Sequence, residues 1–239
     1  MNFNIKRFRV LDSTSTYLKS LAERGETEGT VIVADAQTKG RGRQGKSFFS
    51  PDGTGLYMSL LLKPSLTPDK ALFITTATAV ALCRAIEKLY PHKAEIKWVN
   101  DVYINDKKVA GILTEASYNT DGSLKYVVLG IGVNISTDGF PKEIEDVASS
   151  LGKEDLRDAL LEGVLSEFSV LYEALPSLRF FEEYKKRSML IGREIEITGD
   201  KSVFGAAVDI DRECHLIVKL DSGETVSLSS GEVSTKLKK

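Results

Sequence analysis

The densest chemistry in the chain lies in Gln37-Thr38-Lys39-Gly40-Arg41-Gly42-Arg43-Gln44-Gly45-Lys46-Ser47. Four cations and three glycines fall between Lys39 and Lys46. Guanidinium forks match phosphate or carboxylate. Glycines let backbone N–H groups turn toward a ligand. The loop suits an anion, with a polyphosphate as the natural candidate. A solvated basic turn is the competing reading of the same residues, because glycine-rich loops are often only turns. Gly40 to Ser47 also fits the literal P-loop pattern G-x-x-x-x-G-K-S. A P-loop lysine, however, opens a helix whose N-terminus cradles phosphate. Here Phe48-Phe49-Ser50-Pro51-Asp52-Gly53 follows, and Pro and Gly break helices, so a true P-loop is not expected.

A second constellation is Lys97-Trp98-Val99-Asn100-Asp101, followed by Lys107-Lys108-Val109-Ala110-Gly111-Ile112-Leu113-Thr114-Glu115. Lys97, Asn100 and Asp101 at the edge of buried sheet are hard to explain by packing. A polar turn beside a core tryptophan is the alternative. Lys108 starts a strand, and Gly111 permits close approach, so an ammonium can enter the same cleft.

The elements that must carry these residues can be read from periodicity and punctuation. Asp12 or Ser13 can cap a helix through Tyr17 to Ala22, with Gly25 as its stop. Thr30 to Ala34 is a short β-branched strand, and Gly55 to Lys63 is a second, nearly all apolar one. Thr67-Pro68-Asp69 starts a helix that ends at Tyr90-Pro91. Ala94 to Trp98 reads as a strand. Val102 to Ile104 and Val109 to Glu115 form a hairpin about Asn105-Asp106-Lys107. Lys125 to Asn134 is a buried strand containing Gly130 and Gly132, and glycines there often mark the close approach of a ligand. Helices are expected over about 153–175 and 176–188. After Gly192 the runs REIEITG, VFGAAVDID, HLIVKLD and GETVSLS suggest a small β-barrel. The pattern predicts an α+β chain, divided into residues 1–188 and 189–239.

Composition narrows the function classes. Hydrophobic residues at 42% and charged residues at 28% describe an ordinary globular chain and exclude a disordered one. A net charge of -2 gives no general attraction to nucleic acid, so any basic function is local. Cys83 and Cys214 are far apart and match no metal spacing, which suggests a reducing, cytoplasmic compartment. No signal peptide and no apolar run long enough to span a membrane is visible.

In this order and spacing, GRGRQGKSF, KWVNDVYINDKKVAGILTE and VVLGIGVNIS resemble the biotin–protein ligases. Asp12-Ser13-Thr14-Ser15 looks like the family's first biotin motif, usually D-S-T-N. The motifs run from about Val10 to Asn134. The resemblance implies a mixed central sheet flanked by helices, like the catalytic domain of class II aminoacyl-tRNA synthetases, with a small SH3-like β-barrel at the C-terminus. It implies that biotin is activated with ATP and Mg²⁺ to biotinyl-5'-AMP and then transferred to a lysine of a biotin carboxyl carrier protein. By resemblance Ser13, Thr14 and Gln37 hold the ureido ring, and Ser15 stands at a further biotin-binding position. Gly40, Arg41, Gly42 and Arg43 form the biotin and adenylate loop. Lys108, beside Gly111, contacts the junction of carboxylate and phosphate. Arg41, Arg43, Lys46, Phe48, Lys97, Asn100 and Asn134 handle ATP. Asp101 is the candidate metal ligand and, with Arg43 and Lys108, a candidate catalytic residue.

Four positions depart from the family pattern: Ser15 for Asn, Lys46 for Arg, Phe48 for the common Trp and Val99 for Pro. Lys46 keeps its charge but loses the bidentate fork. Some family members carry a winged helix and repress transcription. This chain starts about ten residues before its first ligand motif, so a ligase without DNA binding is expected. A homodimer through an exposed sheet edge is also expected. The competing readings are a lipoate–protein ligase, a P-loop NTPase and a nucleic-acid-binding module.

Overall fold

The computed structural model describes residues 1–198 and 202–235. Seven strands form the main sheet: β1 (Asn4–Leu11), β2 (Thr30–Gln37), β3 (Gly55–Leu62), β4 (Glu95–Lys97), β5 (Asp101–Ile104), β6 (Lys107–Tyr118) and β7 (Leu124–Asn134). Their spatial order is β1-β2-β3-β7-β6-β5-β4. β1 and β2 are parallel, and every other pairing is antiparallel. The sheet is mixed, as expected. β1 is an addition to the sequence reading. Its Lys6, Arg7 and Arg9 hide the strand signal, and as an edge strand it can carry charge.

The two-residue period of β3 divides the molecule into two layers. Leu56, Met58, Leu60 and Leu62 face the large core. That core is closed by α2 (Ala71–Leu89), α3 (Arg157–Glu173) and α4 (Phe181–Lys186). Leu61 faces a smaller cluster with Leu18, Ala22, Ile32, Tyr126 and Val128 beneath α1 (Thr14–Glu23). Alternation places Ser59 on this second face. α2 is buried nearly all round, which matches its long apolar run. Cys83 lies fully buried in it. Burial pushes its thiol up to about 12, so it packs rather than reacts.

Local signals account for the element ends. The Ser13 side chain accepts from the Thr16 amide, and α1 stops at Gly25, whose φ of 91° no ordinary residue adopts readily. The Gly25 and Glu26 amides return to the Ala22 and Leu21 carbonyls, a Schellman closure. The β5–β6 hairpin turns on Asn105 and Asp106 alone, both at positive φ, one residue shorter than expected. The expected pair of long helices before the tail is interrupted at Pro176 by a 3₁₀ turn and a left-handed Leu178.

The tail folds as five antiparallel strands: β8 (Glu194–Thr198), β9 (Val203–Ile210), β10 (Leu216–Leu220), β11 (Thr225–Leu228) and β12 (Glu232–Thr235). They stand in the order β11-β10-β9-β8-β12. β12 was not foreseen, because its segment has only Val233 as an apolar signal. Gly199, the end of the REIEITG run, and residues 236–239 lie outside the described residues. Ile195, Ile210, Leu216, Val218 and Val233 join the main core. The Trp98 indole donates to the Cys214 carbonyl at 2.9 Å, so the tail anchors the KWVND segment.

Candidate active site

A cleft of about 310 Å³ opens on the α1 face of the sheet. At one end Ser13, Thr14 and Ser15 open α1, with Gln37 at the end of β2 beside them. The parallel register pairs Leu11 with Gln37, which brings the end of β2 alongside the start of α1. The Thr14 amide donates to Gln37 Oε1 at 2.9 Å, and Gln37 Nε2 donates to Ser50 Oγ at 2.9 Å. Thr14 Oγ1 lies 2.8 Å from Ser59 Oγ, and Ser15 Oγ lies 2.9 Å from the same atom. All four hydroxyl residues, Ser13, Thr14, Ser15 and Ser59, are at most 5% exposed. Gly130 pairs with Ser59 across the strands. A Cβ on Gly130 would stand 2.7 Å from Ser15 Oγ, so the glycine makes room for the cluster.

The other end is cationic. Arg41, Arg43, Lys46, Lys97 and Lys108 line the cleft, and among the described residues Asp101 is the one lining carboxylate. The basic loop is a closed turn. Gly42 N–H donates to the Lys46 carbonyl at 2.7 Å, Lys46 N–H returns to Arg43, and Arg41 bridges to Ser47. Gln44 and Gly45 take positive φ at its tip. No helix follows Lys46, so the P-loop reading fails on geometry.

The cations are held by partners. Arg41 makes two 2.9 Å contacts with the Glu115 carboxylate. Arg43 donates to Asn100 Oδ1 at 3.0 Å. Lys108 Nζ is 2.8 Å from Asp101 Oδ1. Asn100 Nδ2 donates to that same oxygen and to the Ile112 carbonyl at 2.8 Å, which stitches the KWVND corner to β6. Gly111 faces this pair: a Cβ there would lie 3.2 Å from the end of the Lys108 side chain. Lys97 sits over the Tyr103 ring.

Phe48 is tucked against β7, where a Cβ on Gly132 would come within 2.7 Å of its ring. The two glycines noted in β7 therefore serve two different neighbours, Ser15 and Phe48. Ile144 and Val147 add an apolar rim, and Gly231 and Val233 bring the tail to the cleft wall.

Two expected ligand contacts stand apart. Asn134 does not line the cleft; it is buried, and its side-chain amide donates to the Ser149 carbonyl. Gly40 is also a packing position, since a Cβ there would sit 2.3 Å from the Phe48 carbonyl. Asp101 is already paired with Lys108, and no group of three His, Cys, Asp or Glu side chains suited to a metal occurs among the described residues. Two participants were missed from sequence: Ser59 and Glu115. Ser59 is the one polar residue of the GLYMSLLL strand, which is the signal that could have found it.

A family model, Biotin/lipoate A/B protein ligase family, matches residues 7–134, and Biotin protein ligase C terminal domain matches residues 190–236. The bifunctional ligase/repressor BirA of Bacillus spizizenii is 34% identical over 227 residues, which cover 90% of this chain and 69% of that protein. A biotin–[acetyl-CoA-carboxylase] ligase of Mycobacterium tuberculosis is 29% identical over 92% of this chain and 85% of its own length. The solved biotin protein ligase from Aquifex aeolicus in complex with biotin and ATP has a TM-score of 0.82 and 29% identity, over 98% of each chain.

Proposed function

The chain belongs to the biotin/lipoate A/B protein ligase family, and from that premise we propose how its cleft performs biotin ligation. The enzyme activates biotin with ATP, releasing pyrophosphate, and transfers the biotinyl group to a lysine of a biotin carboxyl carrier protein domain. One observation carries biotin over lipoate: the buried hydroxyl and amide cluster of Ser13, Thr14, Ser15, Gln37 and Ser59 at the neutral end of the cleft. Such a cluster suits a ring bearing N–H donors and a carbonyl acceptor. A dithiolane ring has neither N–H nor carbonyl to offer this cluster.

At the other end, Arg41, Arg43, Lys46 and Lys108 meet the carboxylate and the ATP phosphates. In the first step a biotin carboxylate oxygen bonds to the α-phosphorus, and the bond to the bridging oxygen of pyrophosphate breaks. Two anions must approach, so fixed positive charge is the main catalytic need. Arg43 and Lys108 supply it, and Asn100 holds the Arg43 guanidinium in place. Phe48 and the Ile144–Val147 rim offer apolar cover for adenine. In the second step the acceptor amine attacks the acyl carbon and AMP leaves. Asp101 orients that amine and takes its proton. Asp101 is already paired with Lys108, so Mg²⁺ is expected to arrive on the ATP phosphates.

The natural division of labour is a catalytic unit over residues 1–188 and an SH3-like barrel over 189–239. No helix among the described residues is long and apolar enough to cross a membrane. The two buried free thiols fit a reducing cytoplasm. The free edge of β1 supports a homodimer, checked by sedimentation. ATP–pyrophosphate exchange with biotin, lipoate or no acid tests the whole reading. Exchange that requires biotin is expected, and exchange with lipoate alone would overturn it.

A further inference from the structure

We propose that Ser59, which never touches the ligand, is a positioning residue that fixes the direction of the hydroxyl protons around the ureido ring. This rests on the biotin reading above. The Thr14 backbone N–H can only donate, so the Gln37 atom facing it at 2.9 Å is the carbonyl oxygen. That oxygen can only accept. Thr14 Oγ1, 3.2 Å away, therefore donates to it. With its proton committed, Thr14 Oγ1 accepts from Ser59 at 2.8 Å. Ser59 then has no proton left for Ser15, so Ser15 donates to Ser59 at 2.9 Å. The protons run Ser15 to Ser59 to Thr14 to Gln37. The opposite direction would set the Thr14 and Gln37 lone pairs against each other.

The far end of the relay is anchored. Gln37 Nε2 donates to Ser50 Oγ, whose own proton goes to the Phe48 carbonyl. Ser59 is 0% exposed, so no water replaces its hydroxyl. The consequence is chemical selectivity. Thr14 and Ser15 keep only lone pairs to offer the cleft, so they select a ring with N–H donors. Without Ser59, the Ser15 proton is free to turn toward the ligand and meet an N–H head-on.

Ser59→Ala is tested in the full chain by biotin-dependent ATP–pyrophosphate exchange, with circular dichroism as the fold check. The KM for biotin rises about tenfold, the size expected for one well-formed hydrogen bond. The KM for ATP and kcat at saturating biotin stay within about twofold. Biotin methylated on a ureido nitrogen, which lacks one N–H, is rejected by the wild type, and Ser59→Ala narrows that preference. Adding Ser15→Ala to Ser59→Ala costs much less than Ser15→Ala alone, because the two act as one unit. If Ser59→Ala does not fold, Ser59→Cys, a weaker donor of similar size, is read the same way and gives an intermediate KM. An unchanged biotin KM in a folded variant, or additive effects, would overturn the assignment. Wild-type protein without biotin-dependent exchange would instead remove the biotin reading itself.

Discussion

The two ends of the cleft are built on opposite rules. At the ring end, polar atoms are buried, uncharged and already bonded to one another through Ser15, Ser59, Thr14 and Gln37. At the cationic end, Arg41 and Lys108 are partly exposed and held by carboxylates. A neutral ring gives little Coulomb energy, so its recognition depends on fixed geometry and on leaving no buried group unpaired. Anions repay charge at longer range, so their ligands can rest on internal partners until substrate arrives. Mutations at the two ends should therefore fail differently: rate at the cationic end, affinity at the ring end.

The largest expected effect is at the cationic end. Arg43→Ala should slow adenylation by about 10²–10³, as for loss of one preorganised charge-stabilising donor, while calorimetry shows little change in melting. Single-turnover formation of biotinyl-5'-AMP measures it. Next comes Asp101→Asn, expected to slow transfer from preformed adenylate by about hundredfold if the carboxylate takes the amine proton. Unchanged transfer would reduce Asp101 to a clamp for Lys108 and Asn100. Gly130→Ala should act on the ring end alone. Its methyl falls on Ser15 Oγ, so calorimetric titration should show biotin bound about tenfold more weakly, together with about 1–3 kcal/mol of overpacking strain. The smallest effect is expected from Glu115→Gln, which releases Arg41. A partly exposed pair contributes about 0–1 kcal/mol, so the single-turnover adenylation rate should change by less than about fivefold.

The same contrast explains what the sequence revealed. The cationic end was legible because arginine, lysine and glycine crowd into one short run, and because KWVND and KKVAG each combine charge with sheet signals. The α1 cap, the β3 and β7 strands and the hairpin were legible from punctuation and apolar runs. Ser59 was hidden, since a serine inside GLYMSLLL reads as filler until the period-two alternation is tied to a partner on α1. Gly40 and Asn134 show the reverse. Their motifs pointed to a ligand, and in the structure Gly40 packs on the backbone of Phe48 while Asn134 donates to the carbonyl of Ser149. β1 was masked by its basic residues, and β12 by having too few apolar ones.

A crystal structure with biotin and a non-hydrolysable ATP analogue tests the two-ended cleft most directly. The account predicts ureido nitrogens within hydrogen-bonding distance of the Thr14 and Ser15 hydroxyls, and the carboxylate between Arg43 and Lys108. Biotin lying the other way round, or bound without contact to the hydroxyl cluster, would contradict it.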